Sequence, residues 1–322
     1  MNVSNYLSVT LFTRITAALL AFALVGCNRQ NDNLFVDPAL LALVPSDTVV
    51  LAGIKMEKLR ETAAYKKYSV NPQFKQPLDT FEKETGLDPR KDLWEIMFTS
   101  DAKGKSLVLA RGSFSGMGME PTIEKPGIVR ANYKGYMLFT HDDSGVVFLN
   151  SSTIAAGKIE LLHQLIDARN DHPPAPKAFL DKLASVRRNN QAWVIALNGL
   201  PIPQFLLNGG GEPSNMTRNL MANLPRLLGS LQSSTAVLDL SSGLHLTVNA
   251  QCPTPKDSKT LHDTLRGVIG LARLQMPDRS QDMLKLLDAP LITMSDSTVN
   301  LDMNFSNEDL ETLSSKVFSS EK

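Results

Sequence analysis

The sequence is short of several things, and each shortage removes a class of answer. Its 322 residues hold two cysteines, Cys27 and Cys252. That is too few for a disulfide scaffold and too few for an all-cysteine zinc site. Lys+Arg and Asp+Glu are equal at 33 each, so the chain has no formal net charge. Nucleic-acid binders need a basic field that releases counterions, and this chain has none to offer. The uncharged run Ile15–Gly26 has 12 residues, whereas a spanning helix needs about 20.

Catalytic signatures are missing too. None of the five histidines has the His-x-x-x-His spacing that puts two imidazoles on one helical face. Gly112-Ser113-Phe114-Ser115-Gly116 has Phe114 where a nucleophile elbow carries serine. Gly209-Gly210-Gly211 runs into Glu212-Pro213-Ser214 rather than the Lys-Ser/Thr of a phosphate-binding loop. Met117-Gly118-Met119 offers two thioethers and no third soft ligand for copper. What is present is ordinary packed-protein composition, 43% hydrophobic and 20% charged.

The N-terminus carries the strongest motif. Residues 1–26 hold no acid and one base, Arg14, and the apolar run after it ends in Leu24-Val25-Gly26-Cys27. This resembles the lipobox of bacterial lipoprotein precursors, in which small residues admit a peptidase before an invariable cysteine. The resemblance implies that Leu24, Val25 and Gly26 are the signal-peptidase recognition residues and that residues 1–26 are removed. It also implies that Cys27 takes a diacylglycerol as a thioether and an acyl chain on its new amine. No other cofactor is expected. The polar stretch Asn28–Asn33 then reads as a flexible tether. Asn28 is not the aspartate that retains enterobacterial lipoproteins in the inner membrane. In a cell with two membranes the resemblance therefore places the protein on the outer one, facing the periplasm. With Cys27 lipidated, Cys252 has no intrachain partner and reads as a structural cysteine.

Past the tether, Asn170–Pro176 contains three prolines in four positions and splits the chain near its middle. The expected organisation is a leader 1–26, a tether 27–34, a first module 35–169, a linker 170–177 and a second module 178–322. The modules repeat one pattern. Each opens on an apolar strand, Thr48–Ile54 or Ala192–Leu197, continues through helix, and then gives two strands. In the first half those two are Leu93–Thr99 and Ser106–Phe114; in the second, Thr235–Leu240 and Gly243–Gln251. Each half closes with a hairpin and a helix. The first hairpin is Met137–Thr140 with Val146–Leu149, and its helix runs from Thr153 to Ala168. The second is Leu291–Met294 with Val299–Phe305, and its helix starts at Asn307 behind a Ser306/Asp309 capping box. Leu244, Leu246, Val248 and Ala250 alternate with polar residues, as one wet sheet face requires.

The fold class expected is α+β: two similar modules, each a mostly antiparallel sheet with helices on one side, in the manner of an internal duplication. Two sheets, or one sheet made by joining them edge to edge, both satisfy this pattern. His141, Asp142 and Asp143 form the one local polar candidate site, a base beside two carboxylates on a turn. Together these readings describe an envelope protein attached to the lipid bilayer through Cys27. It acts by binding or scaffolding rather than catalysis, with an envelope protein or an apolar ligand as partner. The alternatives are a carrier of lipid on a curved sheet face, and a hydrolase whose residues converge only in three dimensions.

Overall fold

The computed structural model describes residues 36–85, 87–114, 127–169, 175–187, 189–199, 226–275 and 281–312. The leader, Cys27, the tether, Met117–Met119, Gly209–Gly211 and most of the proline-rich linker lie outside the described residues.

The sheet begins where β-branched residues follow a turn: Pro45-Ser46-Asp47 leads into β1 (Thr48–Lys55). Helices α1 (Pro38–Leu41), α2 (Met56–Glu61), α3 (Ala63–Tyr68), α4 (Pro72–Thr85) and α5 (Pro89–Asp92) surround it in the chain. The antiparallel strands β2 (Leu93–Asp101) and β3 (Ser106–Gly112) follow. The first half continues with β4 (Val129–Tyr133), β5 (Tyr136–His141), β6 (Ser144–Asn150), β7 (Thr153–Lys158) and α6 (Ile159–Ala168). After α7 (Lys177–Leu183), the second half supplies β8 (Ala192–Ala196), β9 (Ser233–Asp239) and β10 (Leu244–Gln251). Helices α8 (Pro255–Gln275) and α9 (Gln281–Asp288) come next, then β11 (Leu291–Ser295) and β12 (Thr298–Phe305).

All twelve strands join one sheet in the order β11-β12-β10-β9-β8-β1-β2-β3-β7-β6-β5-β4. The halves therefore merge edge to edge, through antiparallel pairing of their opening strands β1 and β8. At that seam Gly53 lies opposite Trp193, whose ring crosses it so closely that a Cβ there would sit 2.5 Å from the indole. Only glycine leaves room for the ring. A second link joins α3 to residues 307–312: Tyr68 Oη donates to the Leu310 carbonyl at 3.1 Å, and Lys67 pairs with Glu311.

Counted outward from the seam, the two halves repeat one connection. Three consecutive strands are followed by an insertion, then a hairpin whose second strand returns beside the third, then a helix. The insertion is the β4–β5 hairpin in the first half and α8–α9 in the second. The hairpin equivalent to β11–β12 is therefore β6–β7, not the 137–149 pair that the sequence pattern suggests. Residues 153–158, which read as the start of a helix, form strand β7, and α6 begins at Ile159. The pairing demands small residues: a Cβ on Gly157 would meet Leu107 Cδ2 at 2.7 Å. At β10 and β12 the alternation holds, while most of the helix expected after β8 lies outside the described residues. β10 and β12 pair along the alternation, and Ser306 Oγ accepts from Asp309 N–H at 3.1 Å while Asp309 accepts from Ser306 N–H at 2.8 Å.

Each strand alternates two faces, named here for neighbours on β2. The Met97 face holds Leu51, Met97, Leu109, Ala155, Val147 and Leu138, all buried. Beneath α6 they belong to the same core as its Leu162, Leu165 and Ile166, and the Val36–Val44 segment adds Val36, Leu40, Leu41 and Val44. The Phe98 face carries two other clusters. Met56 of α2 packs with Leu87, Ala110 and Phe114, and Leu261 of α8 packs with Leu228, Ala250, Cys252 and Val299.

Candidate functional site

The Phe98 face has an unusual composition. Ala52 of β1 pairs with Phe98 of β2, Phe98 with Val108 of β3, and Val108 with Ala156 of β7. On the other side of the seam Ala52 pairs with Val194, and the row runs on through Ala236, Val248, Leu301 and Ile292. Beyond Ala156 it continues to Val146 and Phe139. Directly opposed residues share a face. The row is thus apolar across eleven consecutive strands, from β11 to β5. A parallel row one pleat away, Leu246, Leu238, Ala192, Ile54 and Ile96, is apolar as well.

Helices cover the ends of this face and leave its middle open. Between the Met56 and Leu261 clusters, Ile54, Phe98 and Val108 stay 38%, 38% and 40% exposed. On that face Val108 is the direct cross-strand neighbour of Phe98, and Ile54 lies diagonal to it. Together they form a contiguous exposed apolar patch on the sheet face. Alternation alone does not mark this face on β1, which is apolar on both faces, or on β2, whose Met97 lies between Glu95 and Thr99.

The opposite face changes character past the seam. In the second half the Met97 face keeps the buried Trp193 and Ile195 on β8 and turns polar at β10 and β12. His245 Nε2 meets Asp302 Oδ2 at 2.9 Å, and Asn249 Nδ2 donates to Asn300 Oδ1 at 2.7 Å. In the first half the same face hides one charged group. Glu95 is 7% exposed, and its Oε2 accepts the Asp37 N–H at 3.3 Å. Its other oxygen has no hydrogen-bond partner. Burial pushes its carboxyl up to about 7, opposed by the nearby Lys55 ammonium. Arg111, opposite Glu95 in the register, donates to Asp37 Oδ2 at 3.0 Å and to Ser152 Oγ at 2.6 Å. The sequence signal was available, since Glu95 shares strand parity with Met97 and Thr99.

The local candidate site does not assemble around a common point. His141, Asp142 and Asp143 stand at the tip of the β5–β6 hairpin, with Asp142 at φ 52°. His141 Nδ1 contacts the Gly127 carbonyl at 3.0 Å, while its Nε2 is 3.8 Å from Asp142. Asp143 pairs with Lys158 at 2.9 Å, which with the Ser144 hydroxyl holds its carboxyl below the usual range. The three side chains engage different neighbours on an open turn. Among the described residues no three His, Cys, Asp or Glu side chains converge as a metal site. Cys252 is 2% exposed, and burial raises its thiol, so it packs as a small apolar side chain.

A cleft of about 440 Å³ opens on the Met97 side, between the β2–β3 turn, residues 45–48 and α6. Leu107, Leu161 and Leu165 line it, with charges of both signs at its mouth. Two of them are engaged locally: Asp101 Oδ1 accepts the backbone N–H groups of Lys103 and Lys105 at 2.8 Å each, and the Lys105 ammonium pairs with Glu160 at 3.3 Å. It is the root of a hairpin, and the open apolar row is the stronger candidate.

No family model matches the chain, and no curated protein matches it. Among solved structures, crystal form I of TP0453 aligns over 87% of this chain and 97% of its own, at 12% identity and a TM-score of 0.46. Crystal form III of TP0453 aligns over 87% and 98%, at 14% identity and a TM-score of 0.49.

Proposed function

We propose that this is a lipid-anchored envelope protein that acts by binding, and that its ligand is an acyl-chain lipid held on the Phe98 face. The observation that carries the reading is the apolar row across eleven strands with Ile54, Phe98 and Val108 open at its centre. Two physical arguments select an acyl chain over a folded partner. A protein interface sets roughly one hydrogen bond per 100–200 Å² inside a polar rim, and this row offers no side-chain donor or acceptor from Ile292 to Phe139. A hydrocarbon chain needs none, and its transfer from water contributes about 0.8 kcal/mol per buried CH2. The anchor supplies the setting. With Cys27 lipidated, residues 27–34 reach at most roughly 28 Å, which holds the folded part of the chain within reach of the bilayer.

The test is a titration of the purified protein with a fluorescent fatty acid, read by emission and competed with unlabelled fatty acid. Saturable binding is expected, weakened at least tenfold by Phe98→Ser with Val108→Ser. Thermal unfolding should show that the double variant is still folded. A control variant on the polar face, Asn249→Ser, should bind like wild type. Equal binding by all three proteins would refute the assignment. The anchor is tested separately: Cys27→Ser should release the protein from membranes and leave the leader uncleaved.

A further inference from the structure

An open sheet ends in two edges, and here the two are built differently. Edge strand β4 is charged and clamped. It carries Arg130, and its turn is held to α6 by three contacts: Tyr133 stacks on His163 at 3.7 Å, Tyr133 Oη donates to Asp167 at 3.0 Å, and Lys134 pairs with Asp167 at 2.7 Å. Charge and covering are the usual protections against edge pairing. Edge strand β11 has no charge within its length, and although α8 packs on its Phe98 face, no strand among the described residues pairs with its outer edge. Leu291-Ile292-Thr293-Met294-Ser295 contains no charge and no proline, and Leu291 and Met294 are 62% and 43% exposed.

The β11–β12 turn fixes which backbone groups are free to pair. Asp296-Ser297 is a two-residue turn with Asp296 at φ 51°, and it sets Ser295 opposite Thr298. In an antiparallel hairpin of this kind, alternate residues bond inward. Ser295, Thr293 and Leu291 therefore bond to β12, while the N–H and C=O groups of Ile292 and Met294 point away from the sheet.

We propose that β11 is a docking edge for a second copy of this chain, whose own β11 adds antiparallel with the two-fold axis at Thr293. The register is self-complementary. Ile292 of each chain meets Met294 of the other, and both residues have outward backbone groups, so the two form hydrogen-bonded pairs. Both side chains lie on the Phe98 face, so the pairing prolongs the apolar row from one copy into the next. Leu291 falls opposite Ser295, and no like charges are opposed. The two Asp296 side chains end up about 20 Å apart at 3.4 Å per residue, well beyond a Debye length in physiological salt. An isologous contact of this kind closes on itself as a dimer rather than growing into a fibre. A five-residue edge buries less than the roughly 1,200 Å² of a stable interface, so the dimer belongs to concentrated or membrane-held protein.

The experiment uses the full chain in membranes. Thr293 sits at the axis in a non-hydrogen-bonded pair, where Cα atoms lie about 4.5 Å apart, within disulfide reach. Mild oxidation of Thr293→Cys should give a disulfide-linked dimer on a non-reducing gel. The wild-type chain and Ala131→Cys on the β4 edge should stay monomeric. Adding Met294→Lys to Thr293→Cys should cut the dimer at least tenfold. Sedimentation in detergent should show the same loss of dimer for Met294→Lys alone, with unfolding unchanged. The proposal is overturned by a Thr293→Cys chain that stays monomeric while its thiol still alkylates. It is equally overturned by a dimer that Met294→Lys does not weaken, or by a product whose mass shows a different protein bound.

Discussion

In the first half of the sheet, Met97 and Phe98 point to opposite faces and both meet apolar neighbours. In the second half Val248 meets Ala236 and Leu301, but Asn249, beside it in sequence, meets Thr235 and Asn300. The same connection pattern thus supports a half that is apolar on both faces and a half that is apolar on one. The difference shows what each face is for. The Met97 face is apolar beneath α6 and the Val36–Val44 segment and at the buried Trp193 and Ile195 of β8, and polar on β10 and β12. The Phe98 face is apolar on both sides of the seam, including the part that its helices leave open. Covering explains the first pattern and does not explain the second.

The comparison can be broken most severely at the seam. Trp193 is 2% exposed and spans the junction of the halves. Trp193→Ala should cost about 3–5 kcal/mol in denaturant unfolding. A loss of cooperativity would show that the halves unfold separately once the ring is gone.

The buried carboxylate distinguishes the halves by pH. Glu95 rises from an ordinary 4.5 to about 7 in the fold, so between those values the native state holds a proton that the unfolded chain has lost. Stability is therefore fully supported below pH 4.5 and falls as pH rises through 7, by up to ~3 kcal/mol. Glu95→Gln should flatten that decline in thermal melts taken from pH 4.5 to 8. An unchanged slope would mean that Glu95 is not the group responsible.

Smaller effects sharpen the same contrast. Gly53→Ala should destabilise by about 1–3 kcal/mol, because the new methyl enters the Trp193 ring and one of them must shift. Asp302→Asn, on the wet face of the second half, should change stability by less than ~1 kcal/mol despite its contact with His245. A cost as large as that at the seam would show that the polar face is structural rather than solvated.

The sequence made the second half easier to read than the first, for a physical reason. Where one face is wet, as in β10 and β12, period-two alternation marks the strand and its inward residues together. Where both faces are apolar, as in β1, the strand is visible but its faces are not. β7 was hidden because Ala155, Ala156 and Gly157 have little strand character of their own, and at Gly157 the closeness of Leu107 leaves no room for a Cβ. The merger at β1 and β8 depends on pairing between strands more than a hundred residues apart, which local pattern does not encode. As for the site, His141, Asp142 and Asp143 sit on the turn the sequence indicates, and their side chains engage different neighbours there. The open patch at Ile54, Phe98 and Val108 emerges only when the register aligns β1, β2 and β3, and the row that runs through it only when strands from both halves are aligned.

The most direct measurement is photo-crosslinking with a diazirine-bearing fatty acid, followed by peptide mass spectrometry of the purified protein. The account expects adducts on β1, β2 and β3 around Ile54, Phe98 and Val108, suppressed by excess unlabelled fatty acid. Adducts confined to the cleft beside Leu161 and Leu165 would contradict it.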